Sequence, residues 1–160
     1  MRIPLTKGKF ATVDTEDFDN LSKYNWFYLD GYAARRGRAS KGEKKTVRMH
    51  RILLGAKECQ KVDHINQDKL DNRKSNLRIC THGQNRMNMR KLKNNTSGYK
   101  GVFWRGDRNV WIARIRFEGK LIYAGSSRNK VIVAGYYNKM AKKLFGEFAY
   151  LNEIPCIPQT

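Results

Sequence analysis

Between Val62 and Asn85 the chain reads V-D-H-I-N-Q-D-K-L-D-N-R-K-S-N-L-R-I-C-T-H-G-Q-N, dense in side chains that move protons and hold cations. Asp63 and His64 are adjacent, Asn76 follows thirteen positions after Asp63, and Asn85 follows twenty-two after it. Hydrolysis of a phosphodiester needs a base for the attacking water and a cation on the phosphate and leaving oxygen. Imidazole, carboxylate and carboxamide can supply both. The intervening loop is rich in Asn, Asp and Lys and could not form a buried element of its own. Asp, Asn and His are also ordinary loop residues, so the intervals rather than the composition carry the reading.

The elements that would hold these residues follow from pattern. Lys61 to Ile65 and Leu77 to Cys80 are predicted strands, and Thr81 or His82 to about Lys93 a helix carrying Asn85. His82 lies one turn before Asn85 on the same helical face. Upstream, Ile3 to Val13 reads as two short strands about a Lys7-Gly8 turn, and Asp14 or Thr15 could cap a short helix ending near Tyr24. Trp26, Phe27, Tyr28 and Tyr32 supply an aromatic core to this scaffold. His50 to Leu54 reads as a short helix leading into the first strand of the site. His50 is open to packing, to a phosphate contact or to the site itself; a structural or DNA-contact role is preferred to metal binding.

Charge bounds the partner. With 33 Lys and Arg against 14 Asp and Glu, the formal net charge is +19 and the isoelectric point near 10.1. Such an excess points to a polyanion, nucleic acid first and an anionic membrane second. Against the membrane, there is no apolar run of about eighteen residues and no signal-like apolar stretch behind Met1-Arg2. A soluble, cytoplasmic chain is expected. The three cysteines, Cys59, Cys80 and Cys156, form no C-x-x-C pair, which argues against a disulfide framework and against structural zinc. Cys80 reads as a small buried thiol.

The first thirty residues are close to neutral, but from Arg35 to Arg51 eight basic residues face Glu43 alone. The interleaved Gly and Ser suggest a hairpin with a mobile tip, whose Arg35, Arg36 and Arg38 could grip phosphates without reading sequence. Residues 91–98, K-L-K-N-N-T-S-G, read as a linker. Beyond it come three short strand candidates, Tyr99 to Arg105, Asn109 to Phe117 and Lys120 to Gly125, then a helix from about Lys130. In the middle strand Trp111, Ala113, Ile115 and Phe117 alternate with Arg114 and Arg116, one face for a core and one for an anion. Val133, Tyr137, Met140 and Leu144 recur at helical intervals, with Asn129 a plausible N-cap and Gly146 a stop; Gly135 is awkward within.

The D-H, N-L-R and lone Asn at these spacings resemble the HNH endonuclease motif, particularly its phage and intron-homing branch. The resemblance implies a ββα-metal fold, in which strand, loop, strand and helix surround one divalent ion. Position by position it makes His64 the general base, Asp63 and Asn85 the metal ligands, and Asn76 the residue that orients the histidine. His82 is the runner-up ligand. The last ligand in many relatives is His; Asn85 here offers oxygen, which suits Mg²⁺ or Mn²⁺ better than Zn²⁺.

A second resemblance rests on Y-K-G-V from Tyr99, W-I-A-R-I-R from Trp111, Ala124 to Ser126, and L-F-G followed by Leu151-Asn152. These look like the plant APETALA and ethylene-response-factor DNA-binding domain, a three-stranded sheet backed by one helix whose sheet enters the major groove. By position Lys100, Gly101, Arg105, Arg114, Arg116 and Tyr123 match residues that touch DNA in that family. Phe103 and Leu121 stand where Arg is expected and Arg114 replaces a Glu, so the base preference is not inherited.

The expected fold class is therefore α+β: an HNH nuclease domain over residues 1–90 (scaffold 1–58, ββα-metal motif 59–90), a linker over 91–98, a DNA-binding sheet and helix over 99–153, and a tail over 154–160. The expected function is a site-directed, metal-dependent endonuclease of homing or phage type acting on double-stranded DNA. As a monomer it would nick, and a homodimer could cut both strands. The alternative is a DNA-binding regulator that has lost the chemistry; an RNA-binding protein is weaker, for want of an aromatic pair in a recognisable context.

Overall fold

The computed structural model describes residues 1–38 and 44–155. Helices and antiparallel strands are mixed, as an α+β chain requires, and the chain divides into two compact units, Met1–Asn85 and Arg86–Thr160. The expected mobile tip of the basic hairpin, with Lys41 and Glu43, lies outside the described residues, as does Cys156.

In the first unit β1 (Arg2–Pro4) and β2 (Phe10–Thr12) form a short hairpin about a turn at Thr6–Gly8, as the sequence predicts. Helix α1 (Thr15–Ser22) begins at Asp14, with Glu16 and Asp17 in its first turn, where carboxylates favour the positive end of the helix dipole. The Asp14 side chain does not cap the helix. Its Oδ2 accepts from the Lys74 backbone N–H at 2.7 Å instead, and the Lys74 ammonium reaches Glu16 at 2.7 Å and Asp17 at 2.9 Å. A polar segment sixty positions away in sequence is thereby tied to α1.

Strands β3 (Phe27–Leu29), β4 (Tyr32–Arg38) and β5 (Lys44–Arg48) make the second sheet, in that order. Asp30 and Gly31, both at positive φ, supply the two-residue turn between β3 and β4. The core gathers Ile3, Leu5, Ala11, Val13, Leu21, Trp26, Ala33 and Met49. Of the aromatic residues expected in it, Trp26 is buried and anchors its indole N–H on the Leu21 carbonyl at 2.8 Å. Phe27, Tyr28 and Tyr32 are half-buried. After α2 (Met49–Leu53), strands β6 (Lys61–His64) and β7 (Leu77–Cys80) pair antiparallel.

Helix α3 (His82–Met87) is shorter than the sequence suggests. Beyond Met87 its continuation is replaced by local side-chain bonding. The Lys91 ammonium donates to the Gly98 carbonyl, the Asn95 side chain donates to the Tyr99 carbonyl and accepts from Gly98 N–H, and Ser97 bonds Asn95 and Tyr99. Asn and Ser compete with the helical ladder in this way. Residues 91–98, expected as a linker, therefore carry a bonded turn, and the division of the chain falls earlier, between Asn85 and Arg86.

In the second unit β8 (Val102–Arg105), β9 (Val110–Phe117) and β10 (Lys120–Ser127) form an antiparallel sheet in the order β10-β9-β8, covered on one face by α4 (Lys130–Phe145). The helix starts where Asn129 accepts from Val131 N–H at 2.9 Å. Its buried stripe is Val133, Tyr137, Ala141 and Phe145 with Ala134; Met140 and Leu144 flank it. The first strand begins at Val102 rather than Tyr99 because the Lys100 backbone is engaged elsewhere. Its N–H donates to Asn152 Oδ1 at 2.7 Å and its carbonyl accepts from Asn152 Nδ2 at 3.1 Å. Asn138 in turn brackets the Asn152 backbone, donating to its carbonyl at 2.8 Å and accepting from its N–H at 2.7 Å. Asn152 is buried.

Two glycines make opposite demands. At Gly101, φ is +73°, and a Cβ would collide with the Tyr137 ring and stand 2.9 Å from the Arg114 carbonyl oxygen. A Cβ at Gly135 would meet only Ile154, at an ordinary 3.9 Å. Gly101→Ala should therefore destabilise the protein by about 2–5 kcal/mol through strain and overpacking. Gly135→Ala should stabilise it by up to about 1 kcal/mol through helix propensity. Equilibrium urea unfolding of both variants measures the two signs.

Candidate active site

The site is built on the pairing of β6 with β7. The register sets Asp63 opposite Arg78 and His64 opposite Leu77. Because directly opposed residues share a face, the Arg78 guanidinium meets the Asp63 carboxylate, donating to Oδ2 from Nε at 3.0 Å and from Nη2 at 2.8 Å. Both side chains are nearly excluded from water. Alternation sends His64 to the other face, where it is 5% exposed.

The long loop between the strands is stitched rather than loose. Asn76 Oδ1 accepts from Asn66 N–H at 2.9 Å, its Nδ2 donates to the Asp71 carbonyl at 2.8 Å, and its own carbonyl accepts from Ile65 N–H at 2.9 Å. Asn76 thus fixes the backbone on both sides of the loop, beginning one residue after His64. Asp71 receives Arg73 through Nε at 2.8 Å and Nη2 at 2.7 Å and Asn66 Nδ2 at 2.9 Å, and the Arg73 guanidinium holds its carboxyl below the usual range. The loop backbone joins β2 through Thr12 N–H to Leu70 carbonyl and Asn72 N–H to Thr12 carbonyl. Asp71, Asn72 and Asn76 are consequently buried in a segment whose composition suggested only a solvated loop.

Three rings meet beside this loop. His50 and His64 stand edge to face with centroids 5.0 Å apart, and Tyr32 lies 5.1 Å from His50 and 6.1 Å from His64. The β4–β5 register explains the first of these neighbours. Ala34 pairs with Arg48 at the end of the register, and two residues beyond that pair stand Tyr32, where β4 begins, and His50 in α2. Arg48 and Lys69 place their cationic groups 4.5 and 4.4 Å from the Tyr32 ring centroid.

Burial is the largest cause of the depressed pKa of both histidines. That of His50 falls to about 3, aided by the Arg48 and Arg51 guanidinium groups and, whenever it is protonated, by His64. His64 is lowered by burial but supported in its charged form by the Asn72 side chain, then by Asp63, Asp68 and Asp71. At neutral pH both imidazoles are uncharged. His64 is therefore a ring that can accept a proton and has carboxylates nearby to favour it once charged.

The remaining expected residues are distributed unevenly. Asn85 is half-buried and His82 exposed on α3. Among the described residues no group of three or more His, Cys, Asp and Glu side chains is arranged to hold a metal ion. A donor set of one carboxylate and one carboxamide still fits Mg²⁺, which keeps several waters and shares its coordination with substrate phosphates. On the basic hairpin, Arg35 and Arg36 point to opposite faces. Arg35 stacks on Tyr24 with its Cζ 4.2 Å from the ring centroid, whereas Arg36 is exposed. The backbone of Arg38 closes β4 opposite Lys44. Arg51, counted in the same basic run, is occupied by the carbonyls of Ala56, Lys57 and Gln60.

In the second unit Arg114 and Arg116 lie on the sheet face away from α4, with Phe103, Leu121 and Tyr123 exposed there. Arg105 shares that face and pairs with Asp107 at 2.9 Å. Phe103, Trp104, Arg105, Ile112, Arg114 and Leu121 line a shallow cavity of about 420 Å³. Lys100 is directed otherwise: its ammonium donates to the Met87 carbonyl at 2.7 Å, and burial lowers its pKa to about 8. Gly101 serves close packing against Tyr137.

Sequence reasoning did not find Tyr32, Arg48, Lys69, Asn72 or the Asp63–Arg78 pair as parts of the site. Arg78, two residues beyond Asn76 in the N-L-R triplet, was legible as a cross-strand partner once the two strands were aligned in register.

The chain thus carries an Asp-His pair and a buried Asn on a strand-loop-strand-helix. The HNH endonuclease family model matches residues 58–87. The chain is 32% identical over 154 residues to "Uncharacterized HNH endonuclease L560" of Acanthamoeba polyphaga mimivirus, covering 92% of this chain and 77% of that protein. It is 34% identical over 88 residues to "Protein 3.8" of Escherichia phage T7, covering 55% and 72% respectively. No solved structure matches the chain. The chain belongs to the HNH endonuclease family and is a DNA-hydrolysing enzyme. Nucleases of this family generally use a divalent metal ion. No helix among the described residues is long and apolar enough to cross a membrane.

The neutral, buried state of His50 has a consequence for stability. Between pH 6.5 and about 3 the unfolded chain binds a proton at this position and the folded chain does not, so stability falls as pH falls through that window. His50→Phe should remove up to about 1.4 kcal/mol per pH unit from the acid slope. Thermal melts of both proteins from pH 4 to pH 7 measure it.

Proposed function

We propose that this enzyme is a metal-dependent endonuclease of double-stranded DNA in which His64 is the general base, Asp63 and Asn85 hold one Mg²⁺ or Mn²⁺, and Asn76 sets the posture of the histidine. The observation that carries the reading is a buried His64, its pKa lowered by that burial, directly following an Asp63 that is fixed across the strand by Arg78. When bound, the metal ion would stabilise the added charge on the phosphate and the departing 3′ oxygen.

His64 accepts a proton from water as the water oxygen forms a bond to phosphorus. The bond from phosphorus to the 3′ oxygen breaks in line, that oxygen takes a proton from solvent, and a 5′ phosphate remains. Asn72 and the neighbouring carboxylates support the resulting imidazolium. Arg78 keeps the Asp63 carboxylate in one orientation through two donors to the same oxygen, while Asn76 restrains the backbone on either side of the loop. Asn85 is favoured over His82 as second ligand because its oxygen matches a hard cation.

The second unit is read as the DNA-addressing module, resembling the ethylene-response-factor domain, with Arg105, Arg114, Arg116 and Tyr123 toward the duplex. Its support is the sheet face opposite α4, which concentrates arginine among exposed apolar and aromatic side chains. Arg36, and Arg38 beyond it on the hairpin, would add sequence-independent phosphate contacts. Arg35 contributes less in this reading, because its guanidinium is stacked on Tyr24. One such site per chain nicks a strand; a homodimer would cut both, whether the gene is of homing or free-standing phage type.

Supercoiled plasmid incubated with Mg²⁺ or Mn²⁺ should be relaxed or linearised by the wild type, and about 10²- to 10⁴-fold more slowly by His64→Ala. Full activity in His64→Ala would remove it from the role of base. In gel retardation at low salt, the double variant Arg114→Ala, Arg116→Ala should bind duplex DNA at least tenfold more weakly, with a salt dependence shallower by about two counterions. Unchanged affinity and slope would dismiss the sheet face as the DNA contact.

A further inference from the structure

We infer that Arg48 and Lys69 form the clamp that seats the scissile phosphodiester beside His64, with the Tyr32 ring as the contact the two cations share. The inference rests on the proposed role of His64 and adds a phosphate-binding site that the family motif does not contain: neither cation lies among the motif positions Asp63, His64, Asn76 and Asn85.

The two cations arrive from different parts of the first unit. Arg48 ends β5, and its pairing with Ala34 sets it on the Tyr32 face of the sheet. Its guanidinium carbon stands 4.5 Å from the Tyr32 centroid. Lys69 comes from the loop between β6 and β7. Its stem passes so close to Gly31 that a Cβ there would stand 3.0 Å from the Lys69 Cδ, and its ammonium lies 4.4 Å from the Tyr32 centroid, donating to the Asp30 carbonyl at 3.4 Å. The same ring reaches His50 and His64. One aromatic side chain therefore connects two cations to the imidazole expected to activate water.

What distinguishes this pair is the company of the other cations around the site. Arg78 is bound to Asp63, Arg73 to Asp71, Lys74 to Glu16 and Asp17, and Arg51 to three carbonyls. Among the described residues, neither Arg48 nor Lys69 has a carboxylate within ion-pair distance. Two positive charges held at one ring repel each other, and the aromatic face offsets only part of that cost. An anion that both cations reach relieves it. A phosphodiester fits, because guanidinium and ammonium both donate to its non-bridging oxygens.

The test uses the full chain and supercoiled plasmid under single-turnover conditions, with enzyme in saturating excess and Mg²⁺ or Mn²⁺ present. Arg48→Met and Lys69→Met should each slow cleavage at least tenfold, whereas Arg48→Lys and Lys69→Arg should recover most of the rate. With enzyme below saturation, the logarithmic salt dependence of the second-order rate constant should become shallower by about one counterion in each Met variant. Rates within twofold of wild type in both Met variants overturn the clamp. So does a slow Met variant with lowered Tm whose charge-conserving counterpart is equally slow, since packing rather than charge would then be at issue. His64→Ala in the same assay separates the two readings: its inactivity beside wild-type rates in the Met variants would sink the clamp and leave the base in place. Full activity of His64→Ala would sink the base while the Met variants still judge the clamp.

Discussion

The register between β6 and β7 is the constraint on which the site depends. A strand period of two means that a slip of one residue would exchange the faces of Asp63 and His64 and separate Asp63 from Arg78. The buried ion pair is costly to form and costlier to break, since removing one partner would leave a charge with little access to water. It selects the correct pairing more than it strengthens it. Asn76 performs the same selection at the other end, by closing the loop between the strands with three hydrogen bonds.

From that register the remaining parts take their positions. The loop is anchored on β2 and α1 through backbone and carboxylate contacts, so the scaffold at the start of the chain is the wall against which the loop is ordered. Helix α2 brings His50 under His64, and the β3–β4 turn brings Tyr32 and Lys69 together. Burial of two imidazoles side by side is tolerable because both are neutral, and that neutrality is the condition under which one of them can accept a proton at physiological pH.

Most of the elements were legible in the sequence, for physical reasons that can be named. Alternation over Trp111 to Phe117 and the Asn129 cap marked the second unit, and the Asp63-His64 pair with its spaced asparagines marked the stretch that the HNH endonuclease family model matches. The limits are equally specific. The extent of α3 was not legible because its competitor is a set of side-chain bonds from Lys91, Asn95 and Ser97, and nothing in residues 88–93 breaks a helix as proline would. Tyr32, Arg48 and Lys69 were invisible as a group because they come together only through strand register and a turn, across intervals with no fixed spacing. Asn72 was lost among several similar loop residues. Burial singles it out, and burial of a polar loop is a tertiary fact.

The bracket around Asn152 bears on how the chain is made. Its carboxamide satisfies both backbone groups of Lys100, and Asn138 satisfies both of its own, so the start of the second unit is completed by a residue more than fifty positions later. On the ribosome the first unit has all of its partners available long before then, and domains commonly fold in order of emergence. The first unit can therefore mature while the second sheet still waits for its clasp. A nascent chain would hold an ordered β6–β7 loop before it holds a finished second unit.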